Sequence, residues 1–170
     1  RMPLGVISDT HDNVDAVRAA VDLFDREGVE RVVHCGDVIA PPVLPFFEGF
    51  EVHGVLGNND GELDGLEAGF RALGNDSRLH GRFAELALGG VRLAVLHGED
   101  LDRVEELAVE GDYDYVCYGH HHERACRAVG GTTVLNPGAH FPTVPDDHRT
   151  VALVDTDREG TAAVRFERVD

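Results

Sequence analysis

Five apolar runs in this chain each break off at residues able to ligate a metal. Ile7-Ser8 leads to Asp9 and His11, Val33-His34-Cys35-Gly36 to Asp37, Val55-Leu56-Gly57 to Asn58, Val95-Leu96 to His97, and Cys117-Tyr118-Gly119 to His120 and His122. Each alone has an ordinary reading: Asp-x-His as a turn and cap, Gly-Asp as a strand-end turn, a lone His or Asn as a hydrogen-bonded terminus. Together, two carboxylates, one amide and four imidazoles at run ends would each need a separate partner if buried. A metal satisfies them jointly. Oxygen and nitrogen donors without thiolate suit manganese, iron, cobalt, nickel or zinc. Seven donors exceed the needs of one tetrahedral ion, whereas two ions sharing a carboxylate take four protein ligands each and keep room for solvent. A metal pair about 3.5–4 Å apart lowers the pKa of shared water and clamps the oxygens of an in-line phosphoryl displacement. The chemistry predicted is hydrolytic.

Such donors need strands that end together. Runs 3–8, 31–35, 52–56, 91–96 and 115–118 read as strands alternating with amphipathic stretches, the pattern of an α/β sheet with crossover helices. Val14, Val17, Val21 and Phe24 recur at helical spacing, with Asp12 or Asn13 as cap and Gly28 as stop. Weaker helices are predicted at 42–48 and 63–73, and a clearer one carries Leu101, Val104, Leu107 and Ala108 before Gly111. In the last third, 125–129 and 132–136 flank Gly130-Gly131, and 150–156 and 162–168 follow without a helix, which reads as antiparallel strands. Gly89-Gly90 likewise separates 83–88 from 91–96, as in a two-residue hairpin. The expected architecture is mixed α/β with more than one sheet. Carboxyl ends of strands in open α/β sheets converge on one ligand-binding rim, so the seven donors are expected in one neighbourhood. Residues 140–148 read as an exposed loop.

The 170 residues are expected to form one domain over 1–170, able to bury about two-thirds of the unfolded surface. Formal net charge is −17, and all 15 cations are arginine. This balance disfavours duplex nucleic acid and anionic membranes, whose binding needs excess positive charge. Self-repulsion at this charge would be relieved by screening in concentrated salt, so a halophilic source is expected. No apolar run approaches the roughly 18 residues of a membrane span. No charged stretch followed by an apolar one opens the chain, so no leader is expected, and Arg1, which precedes Met2, is set aside from the fold reasoning. Cys35, Cys117 and Cys126, an odd number in apolar runs, read as reduced thiols of a cytoplasmic protein. A homo-oligomer is compatible with this size, with no decisive apolar stripe to specify it.

Asp9-Thr10-His11, Gly36-Asp37, Gly57-Asn58-Asn59-Asp60, His97-Gly98 and Gly119-His120-His121-His122 resemble the five ordered motifs of the calcineurin-like metallophosphoesterases. Their spacing resembles the small single-domain archaeal and bacterial phosphodiesterase branch, whose Asn-Pro-Gly-Ser is similar to Asn136-Pro137-Gly138-Ala139. The resemblance runs from about residue 4 to 156. It implies a four-layer αββα sandwich of two mixed sheets flanked by helices, with Asp9, His11, Asp37 and His122 on one metal and Asp37, Asn58, His97 and His120 on the other. Asp37 would be the bridge, and Asp37, Asn58 and His97 the catalytic set. The implied cofactors are two divalent ions, manganese first among manganese, iron, nickel, cobalt and zinc, with a metal-bridging hydroxide attacking phosphorus. The implied activity is a cytoplasmic phosphodiesterase on a small phosphate ester. A phosphomonoesterase on the same site is the enzymatic alternative, disfavoured by the few nearby cations, Arg124, Arg127 and Arg149. A noncatalytic scaffold, like the retromer subunit of similar fold, is the other alternative.

One departure bears on mechanism. Many members of the family carry histidine directly after Gly-Asn, thought to assist the leaving group, whereas this chain has Asn59. An amide is no general acid at neutral pH, so Asn59 is expected at most to hydrogen-bond the phosphate, and good leaving groups to be favoured. Ala139 removes the usual serine hydroxyl. His121, between two candidate ligands, is expected to point outward or to support them, and Asp60 to be a turn residue or a ligand orienter. His34 reads as a hydrogen-bonded core histidine. His53, His80, His140 and His148 lack ligand spacing and are expected on the surface or in loops, with His140 a candidate to face substrate.

Overall fold

The structure, a computed structural model, describes residues 3–38, 41–140 and 143–169. In chain order the elements are β1 (Leu4–Ile7), α1 (Val14–Arg26), β2 (Arg31–His34), a 3-10 segment (Pro41–Phe47), β3 (Glu51–Gly54), α2 (Leu63–Ala72), β4 (Arg78–Leu79), β5 (Phe83–Leu88), β6 (Val91–Leu96), α3 (Leu101–Glu110) and β7 (Tyr115–Cys117). β8 (Ala125–Val129), β9 (Thr132–Asn136), β10 (Thr150–Val154) and β11 (Val164–Arg168) complete it, with two short 3-10 turns around β10.

Helices α1 and α3 form where periodicity and caps agree. Asn13 caps α1, its Oδ1 accepting from the Ala16 N–H at 3.1 Å, and the face bearing Ala16, Val17, Ala20, Leu23 and Phe24 is buried. Asp100 caps α3 through the N–H groups of Asp102 and Arg103, and Gly111 ends it in the left-handed conformation that glycine adopts without steric cost. Leu101 lies outside the buried stripe, 50% exposed. The predicted helix at 42–48 is instead the 3-10 segment, because Pro45 inside it lacks the N–H an α-helix would use. The two-residue β4 was not foreseen, being too short for a periodic signal.

One sheet has the order β11-β10-β1-β2-β3-β4 and the other β5-β6-β7-β9-β8. β1, β2 and β3 run parallel, with Ile7 opposite His34 and His34 opposite Gly54. In the second sheet Val95, Cys117 and Leu135 are level on parallel β6, β7 and β9. The last third is therefore not purely antiparallel. The β8–β9 and β10–β11 pairs are antiparallel, but β9 runs parallel to β7, a long-range pairing that local turns do not reveal.

Three apolar clusters set the layers. The first packs α1, α2 and the 3-10 segment on the first sheet, the second lies between the sheets, and the third packs α3 on the second sheet. This gives four layers, αββα. Close approach of helix to sheet depends on bare backbone: a Cβ on Gly5 would lie 2.8 Å from the Phe24 ring, and one on Gly54 2.6 Å from Phe70. Cys35 and Cys117 are buried in the middle layer, and all three cysteines are free. No helix among the described residues is long and apolar enough to cross a membrane.

Candidate metal centre

Level strand ends deliver the donors to one edge shared by both sheets. Asp9 and His11 follow β1, Asp37 follows β2, Asn58 follows β3, His97 follows β6, and His120 and His122 follow β7. The turns that aim them are sharp. Asp9 (φ 53°), His11 (φ 47°), Asp37 (φ 58°), His120 (φ 71°) and His122 (φ 59°) all lie in the left-handed region, at a cost of about 1–2 kcal/mol each for residues with a Cβ. Cross-strand hydrogen bonds hold the turns in place: Asp9 N–H to the Gly36 carbonyl at 2.9 Å, His11 N–H to the Asp37 carbonyl at 3.1 Å, and Gly119 N–H to the His97 carbonyl at 2.7 Å.

All seven predicted donors come together. Asp9 Oδ1 lies 3.6 Å from His11 Nε2, 3.7 Å from His97 Nε2 and 3.6 Å from His122 Nε2. Asp37 Oδ2 lies 3.3 Å from His11 Nε2 and 3.4 Å from His97 Nε2. Asn58 Oδ1 and His120 Nδ1 are 3.1 Å apart, and the His120 ring lies 5.2 Å from that of His97. Two donor triads are compact enough for one ion each, Asp9 with His11 and His122, and Asp9 with Asp37 and His97. Asp9 thus faces both halves of the cluster, as Asp37 does, where the resemblance assigned it to one.

The local chemistry calls for a cation. His97 Nδ1 lies 2.8 Å from the Cys35 carbonyl, which can only accept, so that nitrogen carries a proton and the ring turns its Nε2 towards two carboxylates. Asp9 Oδ1 and His97 Nε2 are buried and have no hydrogen-bond partner among the described residues. Burial alone would raise the Asp37 carboxyl, yet the neighbouring His11 and His97 imidazoles and the hydrogen bond from the Asn59 N–H hold it far below the usual carboxylate range. Burial would lower His11, but Asp37 and Asp9 outweigh it and raise the imidazole to about 9. His97 is raised against its burial by the same carboxylates, whereas burial keeps His122 below its ordinary value. The residues fit a divalent cation, since a positive charge among Asp9, Asp37, His11 and His97 would satisfy the stranded atoms and carboxylates at once.

Neighbouring side chains position the donors. Asp60 Oδ2 accepts from the N–H groups of Asp37 at 3.0 Å and Gly57 at 2.8 Å, so it orients the turn that carries Asp37. Asn59 donates its backbone N–H to Asp37 Oδ1 and its amide Nδ2–H to Asp37 Oδ2, both at 2.9 Å. The amide expected to meet phosphate is turned onto the carboxylate instead. Ser8 Oγ donates to Asp9 Oδ2 at 2.6 Å, and that same oxygen accepts from the His120 N–H at 3.0 Å. His121 is exposed, with Nε2 2.9 Å from the Gly98 carbonyl. The left-handed residues on either side of it, not an extended backbone, turn it onto that carbonyl, with its ring 5.0 Å from that of His120.

Other histidines depart from expectation. His34 is the buried core residue predicted, hydrogen-bonded to Thr10 Oγ1 at 3.1 Å and accepting from the Gly36 N–H, and burial pushes it down to about 3. His140, expected in an exposed loop, is buried, because its N–H bonds the Asp9 carbonyl at 3.1 Å and its carbonyl accepts from Asn13 Nδ2. Part of that loop, 141–142, lies outside the described residues. His53 is also buried and contacts the half-buried His80, whereas half-buried His148 accepts from the Arg124 N–H. No local spacing marks these residues, since distant segments bury them.

Residues 2–159 match the family model described as the calcineurin-like phosphoesterase superfamily domain. The chain belongs to the calcineurin-like phosphoesterase superfamily. It is accordingly a hydrolase acting on ester bonds. It is 32% identical over 163 residues to a phosphodiesterase of Methanocaldococcus jannaschii, covering 93% of this chain and 95% of the relative. It is 29% identical to a probable metallophosphoesterase of Bacillus subtilis, over 95% of this chain and 88% of the relative. Among solved structures, an archaeal phosphodiesterase superposes with a TM-score of 0.87 at 30% identity, covering 98% of this chain and 99% of the other. Vps29 of Entamoeba histolytica superposes with a TM-score of 0.67 at 19% identity over 99% of each chain, a likeness of fold alone.

Proposed function

We propose that this protein is a divalent-metal-dependent phosphodiesterase with a dinuclear centre, manganese being the first metal to test. The observation that carries this reading is the convergence of Asp9, His11, Asp37, Asn58, His97, His120 and His122, with Asp9 Oδ1 and His97 Nε2 buried and lacking hydrogen-bond partners among the described residues. Asp9, His11, Asp37 and His122 would hold one ion and Asp37, Asn58, His97 and His120 the other, with Asp9 close enough to serve both. Bound divalent ions supply an activated water and positive charge against the phosphoryl oxygens. The chain's own residues hold this arrangement: Asp60 and Asn59 fix Asp37, Ser8 and the His120 N–H fix Asp9, and the Cys35 carbonyl fixes the His97 tautomer. Such orientation of ligands by their neighbours is worth about 10–100-fold in metal affinity or activity.

A diester is favoured over a monoester because the nearby arginines are engaged elsewhere. Arg127 pairs with Glu105, Arg149 donates to the Val144 carbonyl, and the Arg124 guanidinium lies over the Phe166 ring. A monoester carries an extra negative charge that these groups do not meet. Likeness to an archaeal phosphodiesterase agrees with this preference. The test is hydrolysis of an aryl phosphodiester and the matching monoester in molar KCl, by chelator-stripped protein with single metals restored. Metal-dependent diester turnover that falls at least about 1,000-fold in Asp37→Asn is expected. Two bound ions without turnover of either ester would favour the scaffold reading, and faster monoester turnover would reverse the stated preference.

A further inference from the structure

Behind the donor cluster, His34 is a fully buried imidazole that is not itself one of the donors. It ends β2, Arg31-Val32-Val33-His34, and strand alternation puts it on the face of Val32, which packs against the helices. An apolar side chain is the ordinary occupant of such a place, and a buried imidazole belongs there only if both nitrogens are partnered. Both are. Nδ1 accepts from the Gly36 N–H at 3.1 Å, so the proton of the neutral ring sits on Nε2, which donates to Thr10 Oγ1 at 3.1 Å. Gly36 immediately precedes Asp37, and Thr10 stands between Asp9 and His11. We propose that His34 is a positioning residue that locks the turn carrying Asp9 to the turn carrying Asp37 and so sets the spacing of the two carboxylates of the centre.

The need for such a lock lies in the backbone. Asp9 (φ 53°) and Asp37 (φ 58°) are both left-handed, a conformation that residues with a Cβ keep only where their surroundings over-determine it. Main-chain bonds supply part of this, Asp9 N–H to the Gly36 carbonyl at 2.9 Å and His11 N–H to the Asp37 carbonyl at 3.1 Å. They leave the Gly36 N–H and the Thr10 hydroxyl, and His34 joins those two through one rigid ring. Gly36 is thereby held from both sides, its carbonyl by the β1 turn and its N–H by His34. It also has little room: a Cβ there would lie 2.7 Å from His97 Nδ1 and 2.9 Å from the Gly57 nitrogen, so Gly36 packs directly against His97 and the turn before Asn58.

Burial holds His34 down to about 3, so at neutral pH the ring keeps the lone pair that Gly36 needs and the single proton that Thr10 accepts. The inference rests on the metal-centre reading and adds to it a residue that touches no ion. A side chain that only filled the core would change the stability of the fold and leave the affinity of the folded protein for an ion as it was. Orientation of ligands by their neighbours instead changes that affinity about 10–100-fold.

The experiment is equilibrium dialysis of chelator-stripped protein against Mn2+, with Co2+ and Zn2+ in parallel, at pH 7.5, alongside urea unfolding of the same samples. Wild type, Thr10→Val, His34→Leu, the double variant and Val29→Ala are compared. Thr10→Val keeps the shape of the side chain and removes its hydroxyl, and Val29, buried in the helix-side cluster just before β2, reports loss of stability alone. Thr10→Val and His34→Leu are each expected to weaken metal binding at least about tenfold. The double variant is expected to match His34→Leu, because the bond lost in Thr10→Val is already absent there. Val29→Ala is expected to unfold at lower urea and to bind as wild type does. Unchanged affinity in Thr10→Val, with wild-type binding intact, overturns the proposal and leaves His34 a core residue. A wild-type protein that holds none of the three ions overturns the metal-centre reading and this inference with it. Should His34→Leu fail to fold, Thr10→Val decides alone.

Discussion

At Asp37 one neighbour serves both carboxylate oxygens, since Asn59 donates to Oδ1 through its backbone and to Oδ2 through its amide. A carboxylate oxygen has two lone pairs, so Oδ2 can accept from Asn59 and still face His11 and His97. Asn59 is thus a positioning residue, and its place after Gly57-Asn58 leaves the leaving group without an acid from this side chain. Asn59→Ala is expected to weaken metal binding about 10–100-fold while leaving the dependence of rate on leaving-group pKa unchanged, as read by metal titration and a series of aryl diesters. A raised KM with intact metal affinity would instead mean that the amide meets phosphate.

The connecting turns place these residues, and glycine is what lets the turns touch. A Cβ on Gly119 would fall 2.1 Å from Ser8 Oγ and 2.5 Å from Asp9 Oδ2, so the strand-end turn of β7 can approach that of β1 only without a side chain. Gly119→Ala is expected to displace Asp9 and cut metal-dependent turnover by at least about 100-fold, since small misplacements of reacting groups have such effects. Gly131→Ala, where a Cβ meets nothing within 4 Å, serves as the neutral control. At the start of α1, Asn13 both caps the helix and ties down the His140 carbonyl. Loss of a cap costs about 1–2 kcal/mol, and Asn13→Ala should lower stability to that extent in urea unfolding.

Over the whole molecule, charge and buried imidazoles set the working conditions. His34 at about 3 and His80 at about 4 stand below their ordinary value of 6.5. Between pH 6.5 and 4 the unfolded chain therefore binds protons that the native chain refuses. The stability that these two imidazoles contribute is fully present above pH 6.5 and is lost as pH falls through this window, before the strongly depressed Asp37 begins to titrate. Urea midpoints should fall from pH 7 to 4.5, and His80→Asn should make that fall shallower; an unaltered slope would remove His80 from the account. The net charge of −17 repels itself in dilute buffer, and molar salt shortens the Debye length to about 3 Å. The melting temperature should rise between low and molar KCl, and a decrease would count against adaptation to salt.

Much of the fold was legible because its signals are local. The α1 stripe and its Asn13 cap, the Gly-Gly hairpins, and the apolar runs ending in Asp9, Asp37, Asn58, His97 and His120 are written in short stretches of chain. Donor types and their order along the chain also limited the chemistry to oxygen and nitrogen ligation before any geometry was known. What only the tertiary structure decided depends on segments far apart in sequence: β9 beside β7, His140 buried against Asp9, His53 against His80, and Asp9 Oδ1 among three imidazoles. The turn of Asn59 onto Asp37 belongs with these. Residue type and spacing state which groups can bind a cation; left-handed turns and the packing of two sheets determine where each lone pair points, and that direction decides which groups share a partner.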